Sequence, residues 1–289
     1  VQVETVCWIS ASKIVLSTFF YLSALICYIQ YMRNSKWQYL LASVVSSILA
    51  MGCKEQSVII VPCLLLFDWM LFKRNMRSLK VYIEKVYYLI PAIAIFIVTL
   101  VANKDTGEEI IGYTIVDRFI FLCYSVFKYL LISAIPFKLS YLYPFPFQVG
   151  EKIPMALWIY PFVILFIGYV IYLNRKKPLL VFCTLFFILH LLPVLHVIPL
   201  PRYVVVADRY LYIPYIAFAI GLSILSYHLY ERQRKWILYA GFLYCSYLCV
   251  YTASYAPAWK NSDTLKEHFK EVLKKRETNL SINFKHEKQ

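Results

Sequence analysis

Long apolar stretches alternate with short polar linkers along most of the chain. Most stretches approach the ~20 residues with which an α-helix crosses the hydrocarbon core of a bilayer. The pattern predicts an all-α fold, a polytopic transmembrane helix bundle of about eight or nine membrane helices. The predicted segments are 14–32, 37–53, 58–72, 86–102, 115–135, 155–173, 179–198, 210–230 and 236–254.

Two of these segments are short. Segments 37–53 and 58–72 flank the polar sequence Lys54-Glu55-Gln56. They are either two tightly connected spans or partly broken helices around a polar turn.

Composition agrees with an integral membrane protein. The chain is 61% hydrophobic and its mean hydropathy is +0.62. A soluble domain of 289 residues could not bury that much apolar surface. The net charge of +14 follows largely from basic linkers, so it does not indicate nucleic acid as a partner.

The basic linkers also orient the bundle. Lysines and arginines concentrate at 33–36, 73–80, 175–177 and 232–235, which we expect to be cytoplasmic, whereas 103–113, 136–154, 199–209 and both termini are expected outside. This topology requires that segment 115–135 does not cross once. Because the segment carries Asp117, Arg118 and Lys128, we favour an external interfacial helix or a re-entrant element over an ordinary span.

The chain divides into a transmembrane domain, 1–255, and a C-terminal region, 256–289. In the second, Thr264 and Glu267 form a possible capping box, and Leu265, Phe269, Val272 and Leu273 follow at helical spacing. This predicts an external, amphipathic soluble helix. Since one such helix cannot bury its apolar face alone, we expect it to pack on the membrane domain or to begin a helical repeat region. We also expect the sequence to be a fragment that lacks residues at both ends.

No metal site or other cofactor is indicated by the sequence. The eight cysteines lack metal-ligand or disulfide spacing. His190 and His196, six residues apart, would lie on roughly opposite faces of one helix, so a packing role is favoured over a shared metal.

Charged pairs at the ends of apolar segments are the candidate site. Lys54-Glu55 and Asp208-Arg209 both lie on the predicted external side. They are either interfacial ion pairs, or cations that bind an anionic group such as phosphate and are held by carboxylates. The aromatic sequence LSYLYPFPF (139–147) is interpreted as an interfacial belt, with a wall of a donor site as the alternative.

Several stretches carry a resemblance to a known family. VETVCWISASKIVLSTFFYLSALICYIQY (3–31), LAMGCKEQSVIIVPCLLLFD (49–68), LLPVLHVIPLPRYVVVADRYLYIPYIAF (191–218) and WKNSDTL (259–265) occur in that order. Together they resemble the membrane domain of the O-mannosyltransferase-like family with transmembrane and tetratricopeptide-repeat regions. That family belongs to the GT-C glycosyltransferases, so the resemblance implies a GT-C-like bundle.

The resemblance implies an enzyme that moves a sugar from a polyprenyl- or dolichyl-phosphate donor to a hydroxyl acceptor, such as protein Ser/Thr, at the external or lumenal face. Membrane lipid, the donor and a protein bound through C-terminal repeats are the implied partners. The chain is rich in tyrosine and lysine and poor in glycine, a composition typical of proteins from AT-rich bacterial genomes. This favours a bacterial inner membrane as the location, with the endoplasmic reticulum as the alternative.

The resemblance also implies roles for individual residues. Lys54 and Arg209 would bind the donor phosphate, with Lys13 as a further candidate. Asp208 would orient Arg209, Tyr210 would offer a hydroxyl near the headgroup, and Glu55 would support Lys54.

The sequence does not identify a catalytic residue for this interpretation. GT-C enzymes usually place the catalytic carboxylate in a first external loop that would precede residue 1, so the fragment is expected to be inactive alone. Glu4, the nearest acid, matches a family glutamate and is the remaining catalytic candidate, although a cavity-lining or structural role is favoured. The sequence Ser12-Lys13-Ile14 stands where the family typically has Arg-Lys-Asp, which affects the expected donor or acceptor preference.

Two other classes of function remain open from the sequence. A non-enzymatic scaffold could use the membrane domain to anchor repeats that recruit partners. A transporter should show paired repeats and charges near the bilayer midplane, which the sequence does not show convincingly.

Overall fold

A computed structural model describes residues 2–102, 113–137, 139–140, 143–196, 204–261, 263–267 and 270, without the side chains of 232–235. Within these residues the fold is 80% helix and contains no strands, so the all-α prediction is confirmed. The α-helices are α1 (Val3–Cys7), α2 (Ser12–Asn34), α3 (Trp37–Cys53), α4 (Ile60–Met70), α5 (Leu79–Ala102), α6 (Ile115–Ala134), α7 (Ile159–Leu173), α8 (Pro178–Leu191) and α9 (Pro214–Tyr255). Short 3₁₀ turns lie at Ile9–Ala11, Glu55–Ile59, Met155–Trp158, Asp208–Leu211 and Ala256–Trp259.

Helices α2 and α3 form a closely packed antiparallel pair. Small residues face each other across it and hydrogen-bond to the backbone: Ser17 Oγ donates to the carbonyl of Ala50 (2.9 Å), and Ser43 Oγ donates to that of Ala24 (2.7 Å). Small side chains let helix backbones approach, and hydroxyls add hydrogen bonds where no water is available. The pairing fixes the start of α2 beside the end of α3.

The chain reverses again at Lys54. Ser17 contacts Ser57 through a hydrogen bond of 2.7 Å, and Tyr28 donates to Asp68 at 2.6 Å. Both contacts join residues forty apart, so α4 runs parallel to α2 and antiparallel to α3. The structure has two short helices joined by the 3₁₀ turn Glu55–Ile59, and whether they are two spans or partly broken helices stays open.

The segment that contains α6 leaves one end of the bundle and returns to it. Tyr113, just before α6, donates a hydrogen bond to the carbonyl of Phe147 (2.9 Å), and its ring stacks on Phe145 with 5.5 Å between centroids. Residues 113 and 147 are therefore neighbours. The expectation that segment 115–135 does not cross the membrane once stays a prediction.

Tyrosines of α9 contact the returning backbone after α6. The hydroxyls of Tyr244 and Tyr247 donate to the carbonyls of Ala134 (2.8 Å) and Pro136, and the amide of Leu139 donates to the hydroxyl of Tyr251 (2.9 Å). Non-helical backbone at membrane depth requires such internal partners. The three tyrosines, 244, 247 and 251, are called the tyrosine ladder below.

Helix α9 bends back on itself. It is helical over 42 residues, which would measure ~63 Å if straight. Yet Trp8 contacts both ends of the region: its ring lies 5.8 Å from that of Trp259 and 5.6 Å from the guanidinium carbon of Arg209. Tyr215 and Tyr244 also interact. The change of direction therefore lies between these two tyrosines, within a helix that the sequence predicted as two separate segments, 210–230 and 236–254.

The expected count of eight or nine spans is not confirmed. Four helices in the described part of the chain are long and apolar enough to cross a membrane: Ile9–Asn34, Leu79–Ala102, Met155–Leu173 and Trp236–Trp259. The apolar helices Trp37–Cys53 and Pro178–Leu191 are shorter, and α4 has only 11 residues. Apolar runs in the sequence overestimated helix length, because Val58 and Ile59 belong to a 3₁₀ turn and α8 ends ahead of Pro193.

The C-terminal cap differs from the prediction. The amide of Thr264 donates to Asn261 Oδ1 (2.8 Å) and the amide of Asn261 donates to Thr264 Oγ1 (3.3 Å). Asn261 therefore caps the helical turn that contains residues 263–267, and the predicted Thr264–Glu267 box is wrong because the helix starts one turn earlier. Leu265 packs against the core. Phe269, Val272 and Leu273 lie outside the described residues.

Candidate functional site

A small polar cavity lies where α2, the turn after α3, α8 and the Asp208–Leu211 turn meet. Its volume is about 40 Å³. At ~15 Å³ for one water, it holds two or three water molecules. The lining residues are Ile14, Ser17, Thr18, Lys54, Gln56, Ser57, Ile59, His190, Arg209, Tyr210, Tyr212, Ile213 and Pro214. The structure thus brings together Lys54, Arg209 and Tyr210, three of the residues predicted from sequence.

Lys54 reaches the cavity because α3 ends directly before it, and its side chain forms an ion pair with that of Glu55. Burial alone would raise the pKa of Glu55, but the Lys54 ammonium and, more weakly, Lys13 outweigh burial and lower it. Glu55 is therefore ionised at neutral pH and supports Lys54, as predicted. Lys13 is exposed and does not line the cavity.

Glu4 holds Arg209 at two points. The Nη1 of Arg209 donates to Glu4 Oε1 (2.6 Å), and the backbone amide of Arg209 donates to Glu4 Oε2 (2.9 Å). Burial raises the pKa of Glu4, and Arg209 partly opposes this. Burial lowers the pKa of Arg209, but the Glu4 carboxylate outweighs that effect, so its pKa is raised and the guanidinium stays charged. A short helix at the start of the chain thus fixes a residue more than two hundred positions away.

The expectation that Asp208 orients Arg209 is wrong. Asp208 is 1% exposed, and its Oδ1 accepts a hydrogen bond from the hydroxyl of Tyr143 (3.0 Å). Its Oδ2 has no hydrogen-bond partner among the described residues. Burial, followed by the nearby Glu4 carboxylate, raises the pKa of Asp208 well above its usual range. Asp208 therefore pairs with Tyr143 and not with Arg209, and the sequence order Asp-Arg does not reveal this.

Aromatic and histidine side chains complete the surroundings of Arg209. Its guanidinium carbon lies 5.1 Å from the centre of the Tyr210 ring, a cation–π distance. His190 is buried, with Nε2 2.8 Å from the Tyr21 hydroxyl and Nδ1 2.8 Å from the carbonyl of Phe186. These contacts suit a packed, hydrogen-bonded histidine. His196 is similarly bonded to the carbonyl of Val205 (3.0 Å).

The described rings of the aromatic loop pack inside the protein, and the two interpretations of the loop, an interfacial belt or a wall of a donor site, stay predictions. Phe145 and Phe147 pack with Phe121 at 5.1 and 4.9 Å between centroids, and Tyr143 and Phe147 are buried. Tyr143 also pairs with the backbone of 205–206 in an isolated β-bridge. The rings thus join the loop to α6 as core. Residues 141–142 lie outside the described part.

A second buried charge cluster was missed in the sequence. Asp68 Oδ2 pairs with Lys85 Nζ (2.6 Å), and Glu84 Oε2 pairs with Arg74 Nη1 (2.6 Å); Tyr28 donates to Asp68 Oδ1 (2.6 Å). These five residues are called the Asp68 cluster. The sequence did contain a signal for this cluster, because Asp68 lies within the apolar segment 58–72. A charged residue in such a segment needs a partner of opposite charge. The sequence interpretation had assigned Arg74 only to a cytoplasmic linker.

The cavity residues can bind an anion. Lys54 and Arg209 present N–H groups of fixed charge, and guanidinium and ammonium groups are the usual protein partners of phosphate. No group of three or more His, Cys, Asp or Glu side chains that could hold a metal occurs in the described residues. Within the described part of the chain no carboxylate lines the cavity, because Glu4 and Glu55 lie behind the two cations.

Known proteins were compared with the chain in three ways. No protein-family model matches it, no curated protein matches it, and no solved structure matches it.

Proposed function

We propose that the chain is the membrane domain of a GT-C-type glycosyltransferase, which transfers a sugar from a polyprenyl- or dolichyl-phosphate donor to a hydroxyl of a protein Ser or Thr. The transfer would take place at the external face of the membrane, in bacteria at the inner membrane. One observation carries the proposal: Lys54 and Arg209, remote in sequence, line one cavity at the end of a membrane-length helix.

Two fixed cations suit a lipid-phosphate leaving group. Negative charge develops on the phosphate as the bond to the sugar breaks, and cations that are already in position stabilise that charge. Glu4 and Glu55 hold the two cations without lining the cavity. Because the cavity holds only two or three water molecules, we place phosphate oxygens in it and the sugar and lipid outside.

Acceptor deprotonation needs a carboxylate from elsewhere. Such a base must reach the acceptor hydroxyl, and the cavity lining offers none. Glu4, the catalytic candidate of the sequence, is committed to Arg209 at both oxygens. We therefore assign Glu4 to positioning Arg209, and the proposal assigns no catalytic base among the described residues.

Donor binding is the direct test, because it does not require the catalytic acid. The chain in lipid nanodiscs would be titrated with polyprenyl-phosphate mannose and polyprenyl-phosphate glucose, and binding followed by native mass spectrometry. Lys54→Gln and Arg209→Lys, which risk the fold least, and Arg209→Ala should each weaken binding. Loss of one charged hydrogen bond, ~1.5–3 kcal/mol, corresponds to at least about tenfold.

Arg175→Ala is the matched control, since Arg175 stacks on Tyr172 in a predicted cytoplasmic linker and lies away from the cavity. It should bind donor as the wild type does. Equal affinities for wild type, Lys54→Gln and Arg209→Ala would refute the proposal.

A non-enzymatic scaffold is the second candidate. This candidate is favoured by the two hydrogen bonds between Glu4 and Arg209, which connect α1 to the Asp208–Leu211 turn. Such a contact can serve a purely structural role. A scaffold predicts that no lipid-phosphate sugar binds, while Arg209→Ala lowers thermal stability. Donor binding that depends on Lys54, which is not part of this contact, would exclude it.

A further inference from the structure

A groove separate from the polar cavity opens between the two ends of the described chain. It has a volume of about 560 Å³, within the ~300–1,000 Å³ typical of ligand sites. Trp8 and Ile9 form one side, Trp259 and Lys260 form the other, and Ser10 and Asn261 add polar groups. The function proposed above does not use this groove.

The groove lies at a membrane–water boundary. One candidate span begins at Ile9 and another ends at Trp259, so both spans reach the groove at a terminus. Lys260 and Asn261, immediately beyond the second span, are exposed. A ligand can therefore reach the groove from the aqueous phase.

Trp8 forms a shared wall between the groove and the cation site. Its ring faces Trp259 at 5.8 Å between centroids and the Arg209 guanidinium at 5.6 Å. Arg209 in turn lines the polar cavity. One indole therefore separates the groove from the cation assigned to the donor phosphate.

The chemistry of the groove is apolar with one positive charge. Ile9 is 88% exposed although it is a large aliphatic residue, and Trp8 and Leu265 add further apolar surface. Lys260 is charged, and no carboxylate of the described residues lines the groove. Apolar surface beside a single cation suits side chains of a peptide, with an acidic residue near Lys260. A saccharide would require more polar partners for its hydroxyls.

We propose that this groove binds an extended, acidic peptide segment and presents its Ser or Thr hydroxyl to the donor site beside Arg209. The inference rests on the proposed function for the role of the hydroxyl, but peptide binding itself can be measured without a donor.

The test uses a charge exchange. The chain in nanodiscs is titrated with a fluorescent Ser/Thr peptide that carries glutamates, and with the same peptide carrying lysines, by fluorescence anisotropy. The acidic peptide should bind more tightly. Lys260→Glu should weaken it by about fivefold, the upper range for an exposed ion pair, and strengthen the lysine peptide. Lys266→Glu makes the same charge change at an exposed residue that does not line the groove, and should leave both affinities unchanged.

A second variant tests the apolar contact. Ile9→Ser should weaken both peptides equally, with no loss of thermal stability, because Ile9 is exposed. Absence of peptide binding, equal effects of Lys260→Glu and Lys266→Glu, or binding of a mannose oligosaccharide in place of the peptide would each overturn the inference.

The donor titration keeps the two proposals apart. Donor binding without peptide binding rejects the peptide groove alone. If the acidic peptide binds and Lys260→Glu reverses the preference between the two peptides, but no donor binds, the peptide groove is supported and the glycosyltransferase proposal is rejected.

Discussion

Two buried charge clusters lie at opposite ends of α2, and they differ in how completely they are satisfied. The Asp68 cluster has two carboxylates and two cations, and both oxygens of Asp68 and of Glu84 have partners. The cluster of Glu4, Lys54, Glu55, Asp208 and Arg209, here the Arg209 cluster, borders a cavity, and one oxygen of Asp208 has no hydrogen-bond partner in the described part of the chain. The first cluster is closed by its own ion pairs, whereas the second borders a space that the function proposed above uses for binding.

The difference follows from sequence separation and packing. The four charged members of the Asp68 cluster lie within 68–85, at the ends of α4 and α5, so one helical hairpin assembles them. The Arg209 cluster needs α1, the turn after α3 and the turn before α9. A small polar cavity lies where the two turns meet α2 and α8.

The largest expected effect comes from breaking the Asp68 cluster. Asp68→Ala removes the closer carboxylate from the buried Lys85, which then shares Glu84, 4.0 Å from its Nζ, with Arg74. Removing one partner of a buried ion pair costs about 3–5 kcal/mol. Thermal unfolding in detergent should show a large loss of stability, with Arg175→Ala unchanged. A loss no greater than that of the control would show that the cluster contributes little.

The next largest effect is expected at Glu4. Glu4→Gln keeps one acceptor for Arg209 and loses the charge, so we expect a loss of about 1–3 kcal/mol, less than for Asp68→Ala. The same thermal unfolding measurement orders the two variants. The reverse order would mean that the Arg209 cluster, and not the Asp68 cluster, carries the stability.

A pH series tests the assignment of Asp208. Its folded-state pKa is raised by burial, so its favourable contribution is complete below the ordinary pKa of ~3.9 and is lost as pH rises through the folded-state value. Asp208→Asn imitates the neutral acid beside Glu4, Arg209 and Tyr143 and should remove this loss. Its unfolding temperature should match the wild type near pH 4 and exceed it progressively at higher pH. Parallel pH curves would contradict the assignment.

The smallest effect is expected at Lys13. Its side chain is exposed, and its interaction with the Arg209 cluster is a weak electrostatic one with the Glu55 carboxylate. Lys13→Ala should change stability by no more than ~0.5 kcal/mol and donor affinity by less than Lys54→Gln does. A loss of donor binding as large as that of Lys54→Gln would return Lys13 to the phosphate site, where sequence resemblance had placed it.

The sequence predicted helices well and their lengths poorly. Hydrophobic runs located the helices, because apolar side chains must be buried or face lipid whatever their neighbours are. Length depended on details that an apolar run does not show, such as the 3₁₀ turn that contains Val58 and Ile59, and Pro193, which follows α8. For segment 115–135, three charges make a simple crossing expensive, and its interpretation as an interfacial or re-entrant element stays a prediction.

At the site, the sequence identified residues but not their partners. Lys54, Arg209 and Tyr210 were predicted and line one cavity. The pairing of Arg209 with Glu4, in place of its neighbour Asp208, depends on where α1 packs. Local sequence order carries no information about such a contact.

The tyrosine ladder imposes an order on biosynthesis. The carbonyls of Ala134 and Pro136 are synthesised about 110 residues before the hydroxyls of Tyr244 and Tyr247 that bind them. Before the C-terminal half of α9 is synthesised, the backbone at 134–136 lacks these hydrogen-bond partners. Its carbonyls must then be bound by water or shielded by a membrane insertase. The segment that contains α6 can therefore reach its final position only after α9 has been synthesised. We expect chains truncated before α9 to be recognised by quality control as incomplete.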